Sequence, residues 1–114
     1  MKSKEILIII ILAVIILAVI LIINYVKANE NSDEQTMKCI ASKTKLIISK
    51  TCSHCARQKE ILNDHIDLFN IIYIDEHPEI WEQYNHPPVP AWVINNEVHV
   101  GVQSIENLKQ LTQC

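Results

Sequence analysis

Two cysteines separated by two residues are the feature of this 114-residue sequence with the most specific chemistry. They lie in the stretch Cys-Ser-His-Cys at 52–55, between a short apolar run and a pattern typical of a helix. Disulfide exchange needs a thiolate nucleophile, a second thiol to resolve the mixed disulfide, and access for the partner. A helix N-terminus favours a thiolate because its free N–H groups face the sulfur. We therefore predict Cys52 as the nucleophile and Cys55 as the resolving thiol.

His54 lies between these cysteines and is a candidate for tuning them. It can add a hydrogen bond or a positive charge near the Cys52 thiolate, which would stabilise the reduced form and make the disulfide a better oxidant. The alternative is a solvent-exposed histidine with no influence on the thiols. We predict the tuning role.

Metal binding is the rival interpretation of the cysteine pair. A structural zinc site usually takes four ligands, often from two paired motifs, and this sequence has one pair. The other histidines have no regular ligand spacing: His65, His77, His86 and His99. We therefore predict no metal site and no bound cofactor, although two thiolates would suit copper and a binding module remains the alternative class.

An apolar segment near the N-terminus indicates a membrane location. Residues 6–23 are 18 residues without a charged or polar side chain, which span roughly 27 Å as a helix. A secretory signal usually has an apolar region of only about 7–15 residues. We predict an uncleaved anchor over 6–26, with a signal cleaved near Ala28 as the alternative.

The charges that flank this segment predict its orientation. Lys2 and Lys4 precede the span, and acidic residues follow it. Because the positive side stays in the cytoplasm, residues 1–5 should be cytoplasmic and the C-terminal part extracytoplasmic, in a single-pass protein. That compartment permits disulfides.

The rest of the chain is acidic and short. From residue 29 onward it carries 12 acidic and 7 basic residues, which argues against nucleic acid as a partner. Residues 27–38 are polar, acidic and without periodicity, so we predict a short linker that tethers the domain near the membrane surface. Residues 39–114 are then the one domain, which is too small for a TIM barrel or a Rossmann fold.

Apolar runs and turn signals in that domain predict an α/β fold with the order β-α-β-α-β-β-α. The predicted strands cover 46–49, 69–74, 91–94 and 97–100, and the predicted helices cover 56–66, 75–85 and the residues after 104. Pro78 suits a first helical position, Asn95 begins a tight turn, and Ser104 is a helix cap. The first two strands should be parallel because a helix joins them, and the last two should form a hairpin.

Two further cysteines lie near the ends of the domain. The predicted topology puts Cys39 and Cys114 at the sheet edge remote from Cys52, so we predict a structural disulfide between them. A pair that shuttles electrons to Cys52 is the functional alternative, and free thiols are the third.

With Val89-Pro90 directly before the third strand, this arrangement resembles the thioredoxin superfamily. The resemblance is to a minimal thioredoxin-like domain and covers residues 44–113. The stretches 89–95 and 101–104 are similar to the thioredoxin-like domains fused to, or partnered with, bacterial vitamin K epoxide reductase homologues. Thr51 stands where many relatives have an aromatic residue, which argues against a general thioredoxin reductant.

The resemblance implies a function and a partner. It implies a membrane-anchored, extracytoplasmic thiol-disulfide oxidoreductase that donates disulfides to protein thiols. It also implies reoxidation by a membrane protein of the vitamin K epoxide reductase type. The alternative in the same class is a reductase, for example one that serves cytochrome c maturation.

The same resemblance implies roles for Pro90, Val89 and His54. The residue type alone makes Trp81 a further candidate. Pro90 would be a cis proline facing the cysteines, rather than one of three trans prolines in a rigid loop. The backbone of Val89 would pair with an extended substrate peptide, and disulfide oxidases commonly carry a histidine at the position of His54. Trp81 is a candidate for the rim of a partner groove because tryptophan is enriched at interfaces, with a core position as the alternative.

Overall fold

The computed structural model of the protein describes residues 2–114 and has a mixed α/β architecture. The helices are α1 (Ser3–Lys43), α2 (Ser53–Leu62), α3 (Pro78–Gln83) and α4 (Ile105–Thr112), with a 3₁₀ helix at Asn63–Leu68. The strands are β1 (Thr44–Ile48), β2 (Asn70–Tyr73), β3 (Ala91–Ile94) and β4 (Glu97–Val100). After α1, the observed order agrees with the predicted β-α-β-α-β-β-α.

The chain divides into two compact units, Met1–Asp33 and Glu34–Cys114. In the first unit, α1 is long and apolar enough to cross a membrane. The isoleucine, leucine and valine side chains of α1 between residues 6 and 26 are exposed, which suits a lipid environment better than water. The predicted segment 1–5 includes Met1, which lies outside the described residues.

The polar stretch 27–38, which the sequence predicts as a linker, is helical. The stretch contains no proline or glycine, and the Lys38 ammonium lies 2.7 Å from the Glu34 carboxylate one turn away. Such pairs support a helix. Within the second unit, Met37 and Ile40 are buried in the larger core cluster, so packing of that unit begins before the predicted boundary at residue 39.

Four strands form one sheet in the order β2-β1-β3-β4. Strands β1 and β2 are parallel, while β1 with β3 and β3 with β4 are antiparallel. In the central register, Leu46 of β1 lies opposite Ile71 on one side and Trp92 on the other. The predicted parallel pair and closing hairpin are therefore confirmed.

Each face of the sheet has its own apolar cluster, because side chains alternate along a strand. The larger cluster contains Leu46 and Trp92 together with the cysteine-bearing helix α2 through Cys55. The smaller cluster contains Ile47 and Val93 and is covered by the short helix α3. The cysteine pair thus belongs to the face with the larger core.

Local signals place most of the turns and helix ends. Pro78 is the first residue of α3, the Ser104 hydroxyl accepts from the Asn107 N–H, and Asn95 has a positive φ of 53° in the β3–β4 turn. Helix α2 begins and ends earlier than predicted, because Cys52 caps its start and Asn63 leaves the helical conformation with a φ of 48°.

The predicted disulfide between Cys39 and Cys114 is present. Their Cα atoms are 6.0 Å apart and 75 positions apart in sequence, a Cα separation within the usual range for disulfides. The bridge ties the end of α1 to the segment after α4. Free thiols at these positions are therefore excluded in this structure.

Candidate active site

The start of α2 positions the first cysteine of the pair. Cys52 is the N-cap residue with an extended backbone, and its Sγ accepts from the backbone N–H of Cys55 at 3.2 Å. The N-cap position is where free helical N–H groups favour negative charge. Cys52 is partly exposed, so its sulfur is the accessible one of the pair.

Cys55 lies one turn further and has a different environment. It is a free thiol with no exposed surface, packed in the larger core cluster. Burial, followed by the hydrogen bond with Cys52, raises the pKa of the Cys55 thiol to about 11. At neutral pH Cys55 is therefore protonated and shielded from solvent.

The loop before β3 faces the cysteines. The Val89–Pro90 peptide bond is cis, as the resemblance implied. The Cys52 thiol donates to the Val89 carbonyl at 3.6 Å, and Pro90 is buried with its carbonyl accepting from the Gly101 N–H at 2.8 Å. The structure thus brings Cys52, Cys55, Val89 and Pro90 together.

The segment between β1 and α2 is held by carboxylates to which the sequence assigns only a solvated surface and no role in the site. Asp75 Oδ2 accepts from the Lys50 backbone N–H at 2.9 Å and from the Ser49 hydroxyl at 3.2 Å. The backbone bond from Lys50 is the main cause that lowers the pKa of Asp75. The Lys50 ammonium lies 2.6 Å from the Glu76 carboxylate. The two acids after β2 therefore fix the approach to Cys52.

Gln58 is a second residue that the sequence analysis missed. It is fully buried on α2, and its side-chain amide bonds to Trp92 on β3 and to the backbone of Gln103. A buried polar residue on the same helical face as Cys55 and Leu62 was the available signal. Its partners are distant in sequence, so the bonds themselves were not predictable.

Two further predicted site residues, His54 and Trp81, differ in their surroundings from the cysteines and the Val89–Pro90 loop. His54 is exposed, and across residues 2–114 no hydrogen bond or ion pair involves its side chain. Trp81 packs against the smaller cluster, on the sheet face opposite Cys55, and its indole N–H donates to the Pro87 carbonyl at 2.8 Å. The structure therefore does not bring Trp81 together with the cysteines, and both functional roles stay predictions.

The cysteine pair does not line the surface pocket at the other end of the sheet. A pocket of about 400 Å³ is at the opposite end of the sheet, lined by residues that include Lys45, Asn70 and the Asn95–Asn96 turn. Within the described part of the chain, no group of three or more His, Cys, Asp or Glu side chains could hold a metal ion.

Comparison with protein-family models and with curated proteins finds no match for this chain.

Proposed function

We propose that the protein is a thiol-disulfide oxidoreductase with a thioredoxin-like fold and that Cys52 and Cys55 form its redox pair. The observation that carries this proposal is the asymmetry of the two thiols. Cys52 is accessible, caps a helix and faces a backbone carbonyl, whereas Cys55 is buried one turn away. A pair of this kind supplies an attacking sulfur and a protected resolving sulfur.

The architecture supports the thioredoxin-like assignment. The sheet order β2-β1-β3-β4 contains one parallel pair and a closing hairpin, with helices on both faces. The cysteine motif lies where β1 passes into α2, and the Val89–Pro90 loop lies where the chain enters β3. These are the positions that the family resemblance assigns to the redox motif and to the substrate-facing loop.

The reaction that we propose is disulfide donation in two exchange steps. A substrate thiolate attacks Cys52 Sγ of the oxidised pair. The Cys52–Cys55 bond breaks as the bond between Cys52 and the substrate forms, and Cys55 leaves with the electron pair and takes up a proton. A second substrate thiolate then attacks the substrate sulfur of the mixed disulfide, forms the substrate disulfide, and releases Cys52 as a thiolate.

Two electrons remain on the reduced pair after this cycle, and an oxidant must remove them. We propose a disulfide on a membrane protein of the vitamin K epoxide reductase type, with the apolar part of α1 as anchor and the redox domain on the extracytoplasmic side. The length of the apolar helix supports its role as the membrane anchor. The lysines before it and the Cys39–Cys114 disulfide agree with that orientation.

Formation of a disulfide in a reduced dithiol peptide tests this function. The full chain in detergent, with Cys52 and Cys55 oxidised, should convert one equivalent of the peptide per equivalent of protein. Cys52→Ser should abolish the transfer, while His54→Ala should keep it and lower the reduction potential of the pair. A wild-type protein that transfers nothing, or that takes up copper or zinc stoichiometrically at these cysteines, would instead support a binding module.

A further inference from the structure

A buried amide connects the cysteine-bearing helix to the strand and loop beside it. Gln58 Oε1 accepts from the Gln103 N–H at 2.6 Å and from the Trp92 indole N–H at 3.0 Å. Gln58 Nε2 donates to the Gln103 carbonyl at 3.0 Å. All three bonds therefore leave α2, and none serves the helix itself.

Both partners of this amide are adjacent to the loop that faces Cys52. Trp92 lies on β3, which begins directly after Pro90. Gln103 closely follows Gly101, whose N–H donates to the Pro90 carbonyl at 2.8 Å. Gln58 is therefore connected to Pro90 in two ways. One connection runs through Trp92 and β3, and the other runs through Gln103 and Gly101.

The contacts of Gln58 and the contact of Cys52 connect the same helix to the same loop, so together they form a closed ring. Cys52 starts the helix that carries Gln58, and its Sγ lies 3.6 Å from the Val89 carbonyl of the same loop. A shift of α2 relative to the loop would change that distance. The bonds of Gln58 oppose such a shift because a buried donor or acceptor without a partner is unfavourable.

Packing alone does not explain a glutamine here. The neighbouring buried positions of α2, Cys55 and Leu62, are apolar, and both belong to the same core cluster. An unbranched apolar side chain would fill a similar volume without desolvating an amide. Unlike an apolar side chain, glutamine forms hydrogen bonds to β3 and to the segment after β4.

We propose that Gln58 is a positioning residue that sets the spacing between Cys52 and the Val89 backbone for extended peptide substrates. The inference rests on the proposed disulfide exchange at Cys52. The family resemblance implies that an extended peptide pairs with the Val89 backbone while its sulfur reaches Cys52, and such a substrate would need this spacing. A small thiol needs only the Cys52 sulfur, so it does not.

The test compares two reductants of the oxidised full chain in detergent: an extended peptide with two cysteines, and 2-mercaptoethanol. Gln58→Met removes all three hydrogen bonds, and we expect the rate with the peptide to fall at least about tenfold, mainly through a higher KM. We expect the rate with 2-mercaptoethanol to stay within about twofold. Gln110→Met on the exposed side of α4 is the matched control and should change neither rate.

Equal slowing with both reductants would overturn the proposal, because it would indicate general loosening of the site. An unchanged rate with the peptide would overturn it as well. If Gln58→Met does not fold, Trp92→Phe removes one of the three bonds and should show the same selectivity to a smaller degree. A wild-type protein that reacts with neither reductant would contradict the proposed function itself, and this inference with it.

Discussion

At the scale of single residues, Cys52 and Cys55 carry the same thiol group but lie in different surroundings. Cys52 is partly exposed and receives an N–H hydrogen bond, whereas Cys55 has no exposed surface. Since the thiolate is the reactive form, burial that raises the pKa of Cys55 to about 11 protects it from external reagents. Attack from outside should therefore be directed to Cys52.

Alkylation by iodoacetamide tests this difference. In the reduced protein at pH 8 we expect Cys52 to be modified at least about tenfold faster than Cys55. Mass spectrometry of the peptides after a short pulse measures both rates, and the urea-unfolded chain, in which the rates should converge, is the control. Equal rates in the folded protein would contradict the assigned roles.

The raised pKa of Cys55 also predicts how the stability of the reduced protein depends on pH. The protonated thiol is favoured in the fold, so this contribution is complete below the ordinary pKa of 9.0 and is lost as pH rises toward about 11. The urea midpoint of the reduced protein should therefore fall over that range more than the midpoint of Cys55→Ala. Parallel curves for the two proteins would contradict the assignment.

At the scale of elements, the carboxylate after β2 holds the segment that leads into α2. Asp75 accepts from the Lys50 N–H and the Ser49 hydroxyl. We expect Asp75→Ala to slow peptide oxidation modestly, because the approach to Cys52 loosens, and Asp75→Asn to have a smaller effect, because one acceptor oxygen remains. Glu82→Gln on the exposed surface of α3 is the matched control.

The lowered pKa of Asp75 makes the stabilisation from this contact depend on pH. Because its folded-state pKa is lowered, the stabilisation is present above the unfolded pKa and is lost as pH falls through the folded value. The difference in thermal midpoint between wild type and Asp75→Ala should therefore shrink in acid. A difference that is constant from neutral to strongly acidic pH would sink this interpretation.

The sequence predicted those elements whose signals are local. The Asn95–Asn96 turn, the Ser104 cap and the start of α3 at Pro78 each depend on one or two neighbouring residues, and all are observed. The helix over 27–38 was missed because a polar segment without an apolar stripe has no signal for a partner. Gln58 was missed because its bonds reach residues 34 and 45 positions away.

At the scale of the whole molecule, the disulfide between Cys39 and Cys114 closes a loop that contains all four strands of the sheet. Cross-linking across 75 positions restricts the unfolded chain, which is worth about 4 kcal/mol in the chain-entropy model. That is a large share of the stability of a domain this small.

Removal of this bridge should separate stability from redox activity. We expect Cys39→Ser with Cys114→Ser to lower the free energy of unfolding by about 4 kcal/mol in urea titrations. The reduction potential of the Cys52–Cys55 pair should not change, because the bridge ties α1 to the end of the chain rather than to α2. A shifted potential in the double variant would favour the electron-shuttle alternative.

The most direct test of the central claim is the redox equilibrium of Cys52 and Cys55 in the full chain with glutathione buffers, read by mass-tagging of free thiols. We predict that both thiols appear together as one two-electron couple, with a potential at or above about −230 mV, while Cys39 and Cys114 stay bridged. A potential near that of thioredoxin, about −270 mV, would reverse the proposed direction of electron flow. The absence of any couple between Cys52 and Cys55 would contradict the account.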